Sequence, residues 1–185
     1  MNMIHHIRNL LRKAKRDEEG ATTVEFLLVM PLIVFWFAGT FTFFDAYSEW
    51  TRSVKATYTV ADVMSRQFEM EADYEDDMNS LFASIMGENS NDTYVRISSI
   101  ERTNDTYQID WTCASGNHTG YANNDEVPTE LIPNILNGEA VIIVESYMDF
   151  VPFQDYIGLS AKTLTKKVVI SPRFTSKLER DGNCA

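Results

Sequence analysis

Residues 21–44 read ATTVEFLLVMPLIVFWFAGTFTFF, 24 residues with the single charge of Glu25, and the 19 from Phe26 to Phe44 carry none. At a rise of about 1.5 Å per residue this run covers the roughly 30 Å hydrocarbon core of a bilayer, so it predicts a transmembrane helix. Upstream, residues 1–16 hold Arg8, Arg12, Lys13, Lys15 and Arg16 and no acid. A basic arm of this kind stays on the cytoplasmic side, which predicts a single-pass protein of the inner membrane with everything after the span outside the cytoplasm. A cleaved secretory signal fits less well. Its apolar core runs to about 7–15 residues and ends in small residues, whereas this run is longer and offers only Ala38-Gly39 as a site.

The chain has 185 residues, so behind one anchor there is room for a single small domain. Its formal charge is −11, and after Gly20 there are 11 basic against 24 acidic residues. That balance excludes a nucleic-acid binder, which needs clustered Lys and Arg against phosphates. The expected organisation is a basic leader over 1–20, the span over 21–44, an amphipathic helical region over 45–86 and an extracytoplasmic α+β domain over 87–185.

Beyond Phe44 the helix is expected to continue, because Tyr47, Trp50, Val54, Tyr58, Ala61, Met64 and Phe68 recur at spacings of three and four. That stripe is read as a packing face, with Ser48, Glu49, Arg52, Lys55, Asp62 and Arg66 turned to water. EMEADYEDD, residues 69–77, reads as a solvated junction. Asp76 or Asp77 then caps a short helix through Met86, which Gly87 stops. Thr106 to Cys113 alternates apolar and polar residues, with Tyr107, Ile109, Trp111 and Cys113 on one side, and predicts a strand. Tyr94–Ile100 is expected to pair with it across the turn residues Asn104 and Asp105. Ala114–Asp125 reads as a loop and Pro128–Leu136 as one or two helical turns. Ala140–Phe150 predicts a central strand, with Lys162–Ser171 beside it and a loop over 151–160 between. The fold class is therefore α+β, a long N-terminal transmembrane and amphipathic helix packed on a small antiparallel sheet.

Residues 16–31, RDEEGATTVEFLLVMP, resemble the processing region of type IV prepilins, in which a polar leader ends in Gly and the mature chain carries Glu at its fifth position. An acid, Gly, small residues, Val-Glu-Phe, an apolar run and Pro are similar to the TadE/TadG-like pseudopilins of the tight-adherence (Flp) pilus. The segment 141–173, with Glu145-Ser-Tyr147 and a closing Ser-Pro-Arg, and the Trp111-Thr-Cys113 strand are also similar to TadE-like proteins. TadG-like members can carry a larger soluble region, so TadE-like is the expected label. The resemblance implies cleavage between Gly20 and Ala21 by a prepilin peptidase, and pairing of Glu25 with the amino terminus of a neighbouring subunit. It also implies partners among the major and minor pilins and the membrane assembly platform. A buried carboxylate facing an ammonium group avoids the penalty of an isolated charge. The competing reading is an unprocessed single-pass envelope protein whose domain is a binding module.

Cys113 and Cys184 lack redox or zinc-ribbon spacing and are candidates for one disulfide, which an extracytoplasmic location favours over two free thiols. The catalytic inventory is thin. His5 and His6 sit on the leader, His118 stands in a polar loop, and no GxSxG, HExxH or P-loop pattern occurs. No enzyme activity, cofactor or metal is expected. Asn91, Asn104 and Asn117 begin Asn-x-Thr triplets, which read as turn chemistry before glycan acceptors.

Overall fold

The computed structural model describes residues 19–152, 160–182 and 184. The basic leader with His5 and His6, and most of the expected 151–160 loop, lie outside the described residues. The described residues divide into two compact units, before and after the Phe44–Asp45 bond.

Helix α1 runs from Glu19 to Ser65, 47 residues with Pro31 inside. Pro31 removes one backbone donor without ending the helix. In the first unit every large apolar side chain from Val24 to Phe37 is at least 42% exposed. A helix apolar on all sides belongs in apolar surroundings, and this one is long and apolar enough to cross a membrane.

The second unit is a two-layer α+β domain. Strands β2 (Thr93–Thr103), β3 (Thr106–Ala114), β4 (Ala140–Phe150) and β5 (Lys162–Ile170) form an antiparallel sheet in the order β3-β2-β4-β5. The C-terminal part of α1 and helix α2 (Tyr74–Met86) cover one face of this sheet. The main core lies between the layers, with Ala56, Val60, Met64, Phe82, Val95, Ile97, Ile142 and Val144 among its members. A smaller core on the opposite face joins Ile100, Val141 and Ile143 to Tyr121, Val127, Ile132 and Ile135 of the β3–β4 connection. Two-residue strands β1 (Glu69–Met70) and β6 (Glu179–Arg180) pair in parallel, a feature that no local pattern in the sequence announces.

The packing face of α1 keeps Ala61 and Met64 of the expected stripe but not its aromatic rings. Tyr47, Trp50, Tyr58 and Phe68 are exposed, whereas Ser53, Ala56, Thr57, Val60, Ala61, Met64 and Ser65 are buried. Small side chains win because they let the helix approach the sheet closely, close enough for the Thr57 and Ser146 hydroxyls to hydrogen-bond at 2.6 Å. Bulky rings on that face would hold the layers apart.

The β2–β3 hairpin turns at Asn104 and Asp105, both at positive φ (52° and 62°), as a tight two-residue turn of strands with this twist requires. The alternation expected along β3 is split by a bulge. Ser99 pairs with Trp111 but Ile100 pairs with Ile109, leaving Asp110 as an extra residue. Tyr107 and Ile109 therefore pack on the smaller core, and Trp111 on the main one.

Helix α2 starts at Tyr74, ahead of the expected cap at Asp76 or Asp77. Asp73 occupies the N-cap position at φ 62° and makes no side-chain cap bond, while Asp76 accepts a hydrogen bond from the Gly116 N–H at 2.9 Å. Gly87 ends the helix in the left-handed conformation, its N–H bonded to the Ala83 carbonyl. Between Pro128 and Leu136 there is one short 3-10 turn, Thr129–Leu131. At Gly120 an added Cβ would lie 2.6 Å from the Thr112 carbonyl oxygen, so this loop crosses β3 where only glycine fits.

Candidate processing and assembly site

Gly20 is the second residue of α1 and is exposed. A Cβ built on it would meet nothing within 4 Å. Its φ is not among the positive ones. Glycine in a helix costs about 1 kcal/mol relative to alanine, and neither space nor backbone geometry accounts for it here.

Glu25 stands four residues after Ala21 on the same helix and is exposed. Among the described residues no hydrogen bond or ion pair engages its carboxylate. It is the one acid in an otherwise apolar stretch through Phe44.

Cys113 and Cys184 come to disulfide distance, with Cα atoms 5.3 Å apart across a sequence separation of 71. The pair closes a C-terminal segment that crosses the β3 side of the sheet. The Trp111 indole N–H donates to the Leu178 carbonyl at 2.8 Å, and Leu178 is fully buried. Lys177 donates to Asp110 at 2.8 Å. The Arg180 guanidinium grips the Glu75 carboxylate through both oxygens, at 2.9 and 3.2 Å, with both side chains almost wholly buried. Glu75 is thus an interior ion-pair partner, not part of the solvated junction expected over residues 69–77. Among the described residues no group of three or more His, Cys, Asp or Glu side chains is placed to hold a metal ion.

A second buried carboxylate, Glu145, is 1% exposed on β4. Arg96 of β2 pairs with it at 3.0 Å, Lys167 of β5 at 2.6 Å, and the Tyr147 hydroxyl donates to it at 3.0 Å. Register explains the convergence, since Arg96 and Lys167 are the cross-strand neighbours of Glu145 on either side. The Arg96 guanidinium also lies 4.9 Å from the Tyr121 ring centroid. Burial, and then the Glu145 charge, push the Tyr121 and Tyr147 phenols above their ordinary range.

Tyr94 is stacked between Tyr147 and His118, with centroids 4.2 and 3.6 Å away. Glu88, Asp92 and Asp149 share with these rings a cleft of about 380 Å³. His118 is exposed as its polar loop implies, but its ring is held on Tyr94, which the sequence did not indicate. Asn91 precedes β2, Asn104 forms the hairpin turn and Asn117 follows β3, all three outside regular elements.

One signal for the Glu145 cluster was present in the sequence, a lone acid interrupting the apolar run of Ala140–Val144. Nothing pointed to Arg180 as the partner of Glu75, because 105 residues separate them. No family model, curated protein or solved structure matches this chain.

Proposed function

We propose that this protein is a TadE-like minor pseudopilin, a structural and assembly component of a tight-adherence type IV pilus, processed after Gly20 by a prepilin peptidase. In this reading α1 crosses the inner membrane from a cytoplasmic leader to an extracytoplasmic domain. The mature helix then packs beside pilin helices, and Glu25 meets the free amino terminus of a neighbour. The protein acts by assembly and not by catalysis.

The observation that carries the reading is Gly20. A helical glycine with open space around it and ordinary φ has no packing duty, so a recognition duty is the economical account of it. Glu25 supports the same reading, because a carboxylate in an apolar helix with no partner among the described residues calls for one from another chain. The resemblance of residues 16–31 to prepilins supplies the identity of that partner.

A second reading, an unprocessed anchored binding module, is favoured by the acidic, aromatic-walled cleft at Tyr94 and Tyr147. The deciding experiment is the intact mass and N-terminal sequence of the protein from native membranes, beside a Gly20→Leu variant. Open space at Gly20 means that the variant tests recognition and leaves packing alone. The expected result is a chain starting at Ala21, lost in the variant. An intact first residue, where a matching peptidase is active, overturns processing and leaves the binding module.

A further inference from the structure

The second unit carries a net excess of acid, yet one edge of it is basic. Strand β5 reads KTLTKKVVI and is the last strand of its sheet. Lys167 is engaged by Glu145, but Lys162 and Lys166 are paired with no carboxylate among the described residues. Both sit at even positions of β5, as does Leu164 of the main core, so all three belong to the face that α1 covers. The Lys166 ammonium lies over the Trp50 ring, 4.1 Å from its centroid. Burial first, and then the neighbouring Lys162 charge, lower the affinity of Lys166 for its proton. Two like charges held near each other without an acid are in a setting that an outside anion would relieve.

The rings beside them are open to the surroundings. Tyr47 is 67% and Trp50 46% exposed, and the two rings stack with centroids 6.5 Å apart. Trp50 follows Phe44, the last residue of the apolar run, by six positions, which in a helix is about 9 Å. The polar layer begins where the apolar run ends and is about 5–8 Å deep, so Tyr47 falls within it and Trp50 at its outer edge, the zone in which Trp and Tyr concentrate. The acids of this stretch do not share the patch. Asp45 is five residues from Trp50, about 140° around the helix, and Glu49 is paired with Arg52 at 3.3 Å.

We infer that Tyr47, Trp50, Lys162 and Lys166 form a docking surface for anionic phospholipid headgroups on the outer face of the membrane. The aromatic rings sit in the headgroup layer and the two ammonium groups meet headgroup phosphates. This inference rests on the single-pass reading of α1 and is independent of processing and of the pilus.

The test uses the full chain in nanodiscs of phosphatidylcholine alone or with phosphatidylglycerol, and reads lysine acylation at trace reagent by mass spectrometry. Co-elution of protein with discs checks the membrane reading separately, so its failure is not confused with failure of the docking surface. Lys162 and Lys166 are expected to label about fivefold more slowly in the anionic discs, and higher salt should abolish the difference. Lys55, exposed and five residues from Trp50 on another side of the helix, should label equally in both. Equal labelling of Lys162 and Lys166 in the two discs overturns the proposal. So does protection of both in phosphatidylcholine, which would mean that protein, not lipid, covers them.

Discussion

Burying a carboxylate alone costs several kcal/mol, and Glu145 escapes that cost through Arg96, Lys167 and Tyr147. Removing it by Glu145→Ala leaves Arg96, with 19% of its side chain exposed, facing a void. The expected loss is about 3–5 kcal/mol, read by chemical denaturation of the full chain in detergent. Glu145→Gln should lose less, because the amide still accepts from Arg96 and Tyr147. Equal losses would mean that the charge, and not the shape or the acceptor, is what matters at this site. Glu25 predicts the opposite phenotype. It touches nothing among the described residues, so Glu25→Gln should leave stability and cleavage unchanged while abolishing co-purification with pilin subunits. Continued co-purification of the Glu25→Gln variant would remove this carboxylate from assembly.

Among elements, α1, α2, the β2–β3 hairpin, β4 and β5 were legible because each depends on local periodicity and turn chemistry. Asn104-Asp105 between two alternating runs dictates its hairpin, and Gly87 dictates the end of α2. The errors came where tertiary contact outranks local pattern. Rings at helical spacing suggested a packing face, but the close approach that Thr57 and Ser146 record selected the small side chains beside them. The bulge at Asp110 is invisible to an alternation count, since every second residue of β3 still reads apolar. The cysteine pair was legible from type and position, whereas the ion pairs were not, because their partners lie tens of residues away. The cysteine pair also yields a prediction at this scale. Closing a loop of 71 residues should stabilise the fold by about 2–4 kcal/mol. Reduction should lower the unfolding free energy by that amount, and no change on reduction would show that Cys113 and Cys184 are not bonded in solution.

Over the whole molecule, the raised phenols set a limit at alkaline pH. Tyr121 and Tyr147 hold their protons beyond the ordinary value of 10.0 because burial and Glu145 disfavour phenolate. The unfolded chain therefore releases these protons first. Stability is fully present below pH 10.0 and declines as pH rises above it. Denaturation midpoints between about pH 9 and pH 11 should fall more steeply for the natural chain than for a Tyr121→Phe/Tyr147→Phe variant, and parallel curves would assign the loss to other groups. The C-terminal segment has a further consequence, one of timing. Leu178, Arg180 and Cys184 complete contacts with Trp111, Glu75 and Cys113 that stand 67, 105 and 71 residues earlier. Contacts of such long range form slowly, because loop closure must precede any gain. Docking of the C-terminal segment is therefore expected as a late step of folding, a latch that closes on a sheet already formed.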